Sequence, residues 1–135
     1  MRRMSFALTT DAVRERRKTV TRRTGWTFAK PGDRYLAVDK LRVKNAEKLA
    51  VIEVVSVRRE RLSEMHESDV KLEGFDMFER CDALPGGPHH GFPSSDCTDC
   101  FFEMFVDANR HDPYFGKLYT NVTRIEFKYV DEVPA

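Results

Sequence analysis

The residues best suited to chemistry lie in a basic run at positions 13–23. Its eleven residues include six cations, one carboxylate and two threonines. So dense a run of like charge is costly unless the charges reach water or meet an anion. Two interpretations follow. The run is either a solvated helix end followed by an edge strand, or a phosphate-facing patch that contains a reactive lysine, Lys18.

The spacing between Lys18 and Thr21 limits how both can serve one site. Residues 19–23 alternate β-branched and polar side chains, which predicts a strand. Residues three apart in a strand point to opposite faces. Lys18 and Thr21 can therefore share a site only if Lys18 lies on the turn that precedes the strand.

Cysteines and histidines form a second candidate group. Cys97 and Cys100 are separated by two residues, and Cys81, His89 and His90 lie upstream. Three thiolates and one imidazole suit tetrahedral zinc, so Cys81, His90, Cys97 and Cys100 are a candidate structural zinc site. The alternative is that Cys100 is buried at a helix start and the histidines face solvent. In a cytosolic chain three cysteines do not predict a disulfide framework.

Length and charge suit a single globular domain over residues 1–135. The net charge is only +1, but residues 1–34 hold ten basic and three acidic side chains, so they carry +7 and the remainder carries −6. This segregation indicates a local anion-binding face, whereas a binder of duplex DNA would be more basic overall. No apolar run is long enough to span a membrane or to form a secretory leader, which predicts a cytoplasmic protein with no membrane partner.

The hydrophobic pattern predicts short, mostly adjacent strands and a few helices. Strands are expected at 4–8, 19–23, 35–38, 49–57 and 122–130, with a helix of about two turns after residue 10 and helical segments at 62–73 and 100–109. Residues 76–99 are rich in glycine and proline and are expected to form a loop insertion. This order favours an α+β domain, a small mixed β-barrel with flanking helices, over a doubly wound sheet.

Six segments of the chain form an ordered set: 17–22, 30–33, 51–54, 62–64, 72–75 and 123–127. Together they resemble the ASCH domain of the PUA-like superfamily. Residues 17–22 are similar to the family's early motif, a lysine followed three residues on by a threonine or glutamate and then by an arginine. The resemblance implies a PUA-like barrel over most of the chain outside 76–99, with a cleft beside the early motif.

The resemblance also implies a function. The family is associated with RNA or modified nucleosides, and one branch removes the acetyl group from N4-acetylcytidine by means of a lysine, a threonine and a glutamate. These positions fall on Lys18, Thr21 and Glu73, and no cofactor is required. Amide cleavage needs a nucleophile, a base and a stabilised oxyanion. Thr21 would supply a hydroxyl or orient a water, Lys18 would be a base whose pKa is lowered by neighbouring cations, and Glu73 would hold Lys18 or carry the proton.

The resemblance has departures. Many relatives have a glycine where Arg16 stands, so a bulky cation is expected at the mouth of the cleft. A second Gly-Phe pair at 91–92 follows His90, whereas the first follows Glu73, so the register of this helical segment has two alternatives. If the later pair is the true counterpart, the glutamate is missing.

The other expected ligand-binding residues are Arg16, Arg17, Arg22, Arg23 and Trp26. Arg22 would stabilise an oxyanion or bind a phosphate through the parallel N–H donors of its planar guanidinium. Trp26 or Phe28 offers a face on which a base can stack, although core packing is favoured for Phe28.

The cleft therefore has two predicted uses. It binds RNA, a nucleoside or a nucleotide, or it hydrolyses an acylated nucleobase. A third interpretation, a protein-interaction adaptor, would need an exposed apolar patch on the helix at 100–109.

Overall fold

The computed structural model describes residues 1–41, 43–78, 94–111 and 120–130. Within these ranges the chain forms five strands, three helices and one 3-10 turn. In chain order the elements are β1 Arg3–Ser5, α1 Thr10–Arg14, β2 Val20–Arg23, β3 Arg34–Val38, β4 Lys48–Arg61, the 3-10 turn Leu62–Glu64, α2 Asp69–Leu72, α3 Thr98–Ala108 and β5 Asn121–Val130. The predicted α+β class is confirmed. None of the described helices is long and apolar enough to cross a membrane.

The five strands form one mixed sheet in the order β1-β3-β4-β5-β2. β1 runs parallel to β3, and the other neighbours are antiparallel. The long pair β4 and β5 lies at the centre, as the aliphatic run at 49–57 and the alternation at 122–130 predict. β4 continues four residues further than expected because residues 58–61 keep pairing with β5 although their side chains are mostly exposed.

The sheet is not closed into a barrel, so the barrel in the predicted architecture is wrong. Closure requires a hydrogen-bonded ladder between the two edge strands of the sheet. Within the described residues β1 and β2 are not paired with each other, and they have only three and four residues. They are linked by a side chain, because Arg23 Nη2 donates to the backbone oxygen of Ser5 at 2.6 Å. We call the gap between these two edge strands the seam.

The core has two main parts. One lies on the sheet and includes Phe6, Ile52 and Phe127, and the other joins α2 and α3. In the second part Phe101 and Phe105 are buried. The exposed apolar patch that an adaptor would need is therefore not found at these two positions of α3.

Gly74 permits a close approach between the end of α2 and the segment before β2. Its φ is +90°, and a Cβ built there would lie 2.7 Å from Ala12 Cβ and 3.2 Å from Lys18 Cβ. Only glycine adopts this conformation readily and leaves room for both neighbours. The approach places Glu73, the preceding residue, against Lys18.

Replacing Gly74 by alanine should cost more stability than backbone conformation alone explains. We expect Gly74→Ala to lower the free energy of unfolding by about 3 kcal/mol, from backbone strain plus the clash. Gly32→Ala is the matched control, because Gly32 has φ +91° with nothing within 4 Å, and it should cost about 1 kcal/mol. Urea unfolding measures both, and equal losses would contradict the close approach.

Candidate functional site

A cavity of about 790 Å³ opens at the seam. Its walls come from β1 and the residues after it, from β2, from the end of α2 and from α3. The lining includes Lys18, Thr21 and Glu73, the three residues to which the resemblance assigns catalysis, together with Arg22, Arg23 and Trp26. The structure therefore brings these six candidates together around one opening.

Lys18 satisfies the condition that the spacing imposed. β2 begins at Val20, so Lys18 lies on the turn before the strand and Thr21 lies within it. The turn is fixed by backbone contacts: Lys18 N donates to Ala12 O, and the hydroxyl of Tyr129 donates to Lys18 O. Lys18 and Thr21 can consequently face the same cavity.

Lys18 is almost completely buried, with 3% of its surface exposed. Its Nζ donates to Glu73 Oε1 at 3.1 Å and to the Glu73 backbone oxygen. Burial lowers the pKa of Lys18 to about 8; the charge of Glu73 opposes this shift, and the charge of Arg23 adds to it. A lower pKa was expected from neighbouring cations, but the larger cause is the loss of water around the ammonium group.

Three arginines, which we call the arginine row, lie side by side across β2, β5 and β4. Arg22 is opposite Arg124, and Arg124 is opposite Arg58. Like charges directly opposite each other destabilise a sheet. Asp69 accepts from Arg22 at 2.5 Å and from Arg124 at 2.8 Å, and Glu60 accepts from Arg22 at 2.9 Å and from Arg58 at 3.2 Å. These carboxylates offset the repulsion along the row.

Arg22 positions Glu73. Its side chain is fully buried, and Nη1 donates to Glu73 Oε2 at 3.0 Å while the other nitrogens bind Asp69 and Glu60. Glu73 is thus held between Arg22 and Lys18. All three nitrogens of the guanidinium contact carboxylates, so this geometry favours a supporting role over the expected contact with an oxyanion or phosphate.

Arg23 and Thr21 lie on the opposite face of β2 from Arg22, as strand alternation requires. Arg23 Nε donates to Thr21 Oγ1 at 3.1 Å, and its guanidinium lies 4.9 Å from the centre of the Phe6 ring. Burial lowers the pKa of Arg23 to about 10, so the group is cationic at neutral pH. The Thr21 hydroxyl is therefore fixed beside a positive charge.

Comparison with known proteins identifies the fold. No protein-family model and no curated protein matches the chain. The ASCH domain from Lactobacillus crispatus JV V101 matches with a TM-score of 0.59 at 11% identity, covering 94% of this chain and 77% of that one. A DUF984 protein from Enterococcus faecalis V583 matches with a TM-score of 0.56 at 17% identity, covering 90% and 66%. The chain has the fold of an ASCH domain. The resemblance drawn from the sequence motifs is confirmed at the level of the fold.

Two of the predicted ligand-binding residues do not line the cavity of this ASCH fold. Arg16 and Arg17 are exposed: the Arg16 guanidinium lies 5.4 Å from the Tyr129 ring centre, and Arg17 Nε lies 2.6 Å from Glu15 Oε2. Arg16 has φ +59°, a left-handed conformation that favours glycine. A glycine, which the resemblance places at this position, would adopt this backbone without strain.

The aromatic candidates differ from expectation. Trp26 is partly buried and meets Tyr35 edge-on, with ring centres 5.2 Å apart. Phe28, for which core packing was favoured, is 50% exposed, so that expectation is wrong. It lines the cavity with the Arg2 guanidinium 4.3 Å from its ring centre. Phe28 is thus as accessible for stacking as Trp26.

The candidate zinc ligands are only partly covered by the structure. Cys97 is the N-cap of α3, its Sγ accepts from Cys100 N at 3.3 Å, and the two sulfur atoms are 3.1 Å apart. Both are buried. Cys81, His89 and His90 lie outside the described residues, and within the described ranges no three His, Cys, Asp or Glu residues are grouped for a metal. The zinc site stays a prediction.

Asp69 was not among the residues that the sequence singled out, and neither were Glu60 and Arg124. Asp69 belongs to a helix of only four residues, so no motif or periodicity marks it. The available signal was the alternation of β5, which puts Arg124 on the same sheet face as the buried Val122. A buried arginine requires a carboxylate partner, but its identity depends on tertiary packing.

Removing the charge of Asp69 should destabilise the protein. Asp69→Asn leaves Arg22 and Arg124 facing each other, and we expect a loss of about 3 kcal/mol at pH 7. Burial favours the protonated acid, but hydrogen bonds from Arg124 and Arg22 hold the pKa of Asp69 below its usual value. The wild type therefore loses the stability that the Asp69 carboxylate contributes as the pH falls through the acidic range. The difference in the free energy of unfolding between wild type and Asp69→Asn should then become smaller.

The matched control is Asp107→Asn, which removes an exposed carboxylate paired with Arg110. It should change the free energy of unfolding by less than about 0.5 kcal/mol. Denaturant unfolding of the three proteins at pH 7 and pH 3 measures both effects. A loss at Asp69 no larger than that at Asp107 would contradict the structural role of the arginine row.

Proposed function

We propose that the chain is an ASCH-family amidohydrolase that removes an acyl group from the exocyclic amine of a nucleobase, with the seam cavity as its active site. The observation that supports this proposal best is the environment of Lys18. It is a buried lysine with a pKa near 8, it is held by Glu73, and it lines a cavity together with a hydroxyl residue. A perturbed amine in a cavity beside a carboxylate suits general acid and base catalysis.

The proposed reaction uses these three residues. Neutral Lys18 takes a proton from the Thr21 hydroxyl or from a water that Thr21 orients, and the oxygen attacks the acyl carbon. The resulting ammonium group is a cation beside the developing oxyanion. Lys18 then returns the proton, directly or through Glu73, to the nitrogen that leaves. The amide bond is broken and the free amine is released. If the Thr21 oxygen attacked, the acyl group is now an ester on Thr21, and a water activated by neutral Lys18 hydrolyses it. On either route one water is consumed and a carboxylic acid is released.

The cavity supports a ligand of nucleoside size. A volume of about 790 Å³ lies within the usual range for small-molecule sites. Trp26, Phe28 and Phe75 present aromatic surface to it, and such surface can stack on a base. An acylated base stacked there would bring its exocyclic amide towards polar groups at the turn before β2.

A second candidate is binding of RNA or a nucleotide without chemistry. The hydrogen bond from Arg23 to the Thr21 hydroxyl favours it, because it already occupies one lone pair of the proposed nucleophile. The exposed Phe28, with Arg2 above its ring, would also let a strand continue out of the cavity. A cytoplasmic location without a membrane partner is a prediction common to both candidates.

Turnover of N4-acetylcytidine, followed by the mass change of the nucleoside, tests the enzyme proposal. We expect Lys18→Ala and Thr21→Ala to lower the rate at least 100-fold, since each removes a reacting group. Arg17→Ala is the control, because it removes a cation of the same run outside the cavity. Circular dichroism confirms that each variant is folded. Unchanged turnover in folded Lys18→Ala would rule out the mechanism, and single-stranded RNA binding that survives Thr21→Ala without turnover would favour the second candidate.

The rate should rise with pH. The base must be neutral, so kcat/KM climbs as the pH passes through about 8 and then levels. Glu73 raises the pKa of Lys18, so Glu73→Gln should move the midpoint to lower pH as well as reducing the rate. A pH–rate profile from pH 6 to 10 measures both midpoints. A midpoint that does not move in Glu73→Gln would contradict the assignment of Lys18 as the titrating base.

A further inference from the structure

The charges around the cavity do not balance. Glu73, the one carboxylate among the described lining residues, contacts both Lys18 and Arg22. Behind it, Asp69 is occupied by Arg22 and Arg124. Each of these acids is thus already shared between two cations, and none is left for a further cation at the cavity wall.

Arg2, one such cation, is exposed and lies over the Phe28 ring. Arg23, the other, lies on β2. Its described contacts are to neutral groups: the Thr21 hydroxyl, the backbone oxygen of Ser5 at 2.6 Å and the Phe6 ring. None of the described carboxylates lies within ion-pair distance of its guanidinium. The charge of Glu73 is close enough to favour the cationic form of Arg23, but its oxygens face Lys18 and Arg22.

A partly buried cation without a counter-charge is costly to maintain. Arg23 is intermediate in exposure, and burial is the first cause of its lowered pKa. Its Nη1 has no described partner, while Nε and Nη2 donate to neutral oxygens. An anion that enters the cavity would supply the missing charge.

We infer that the ligand of the cavity carries an anionic oxygen group that pairs with Arg23. The planar guanidinium offers parallel donors that match two oxygens of a phosphate or a carboxylate. The inference of an anion depends only on the charges around the cavity. Its extension, that the natural ligand is a nucleoside monophosphate and not a nucleoside, rests on the proposed function.

The inference separates Arg23 from its neighbours in the basic run. Arg22 is neutralised by three carboxylates, and Arg17 meets Glu15 on the surface. Lys18 forms an ion pair with Glu73 and is the proposed base. Arg23 is the described cation of the run that both lines the cavity and lacks a carboxylate, which makes it a specificity residue for a charged ligand.

The test compares cytidine, cytidine 5′-monophosphate and inorganic phosphate by calorimetric titration. These probes carry no acyl group on an exocyclic amine, so turnover does not interfere. Wild type should bind the monophosphate at least tenfold more tightly than cytidine, with an affinity that falls as salt rises, and inorganic phosphate should compete. Arg23→Gln should bring the two affinities within about twofold of each other. Arg17→Gln, the matched control, should keep the wild-type ratio.

Arg23→Lys keeps the positive charge but loses the parallel N–H donors of the guanidinium, so it should retain part of the preference for the monophosphate over cytidine. If Arg23→Gln does not fold, Arg23→Lys takes its place. The ratio of the two affinities in the wild type tests the inference without any variant. Equal binding of cytidine and its monophosphate by wild type, or a preference that survives in Arg23→Gln, would overturn the anion site, although cytidine binding would still support the proposed function. Phosphate binding that depends on Arg23, without binding of either cytidine compound, would support the anion site and refute the nucleobase ligand.

Discussion

The contact of Asp69 with Arg22 and Arg124 is the interaction on which the rest of the site depends. The pairing of β2 with β5 sets these two arginines opposite each other, and without a carboxylate between them the edge strand would repel its neighbour. Because Asp69 holds the buried side chain of Arg22 in place, Arg22 can donate to Glu73, and Glu73 in turn accepts from Lys18. Structural ion pairs and the proposed reactive amine are therefore parts of one network, and burying them costs solvation that only complete pairing offsets.

The location of the site follows from the sheet that does not close. Lys18 precedes β2 and Thr21 lies in it, so the edge of the sheet supplies both groups at the seam. A closed barrel would have paired this edge with β1 and left less room for a ligand. The ring centres of Phe6 and Phe75 lie 5.8 and 5.7 Å from Lys18 Nζ, and burial of this ammonium group lowers the pKa of Lys18. The open sheet edge and these apolar neighbours together give an ordinary lysine its unusual environment.

The sequence predicted the parts of this arrangement that are local. β4 and β5 follow from their hydrophobic patterns, and the spacing of Lys18 and Thr21 set the turn position of Lys18 as the condition for a shared site. The parts that need three-dimensional contacts were missed. The carboxylates Asp69 and Glu60 sit in segments with no motif, and the division of the basic run into buried and exposed members depends on which face each residue of β2 presents. Arg16 and Arg17 looked equivalent to Arg22 and Arg23 in sequence, but the turn between α1 and β2 directs them to solvent.

β1 is a strand of three residues at the edge of the sheet, and it forms one wall of the cavity. Within the described residues it pairs with β3, and its central residue, Met4, is fully buried in the core that β4 and β5 form. Its last residue, Ser5, accepts a hydrogen bond from Arg23 on β2. The shortest strand of the described sheet therefore joins the hydrophobic core to the cation at the cavity wall.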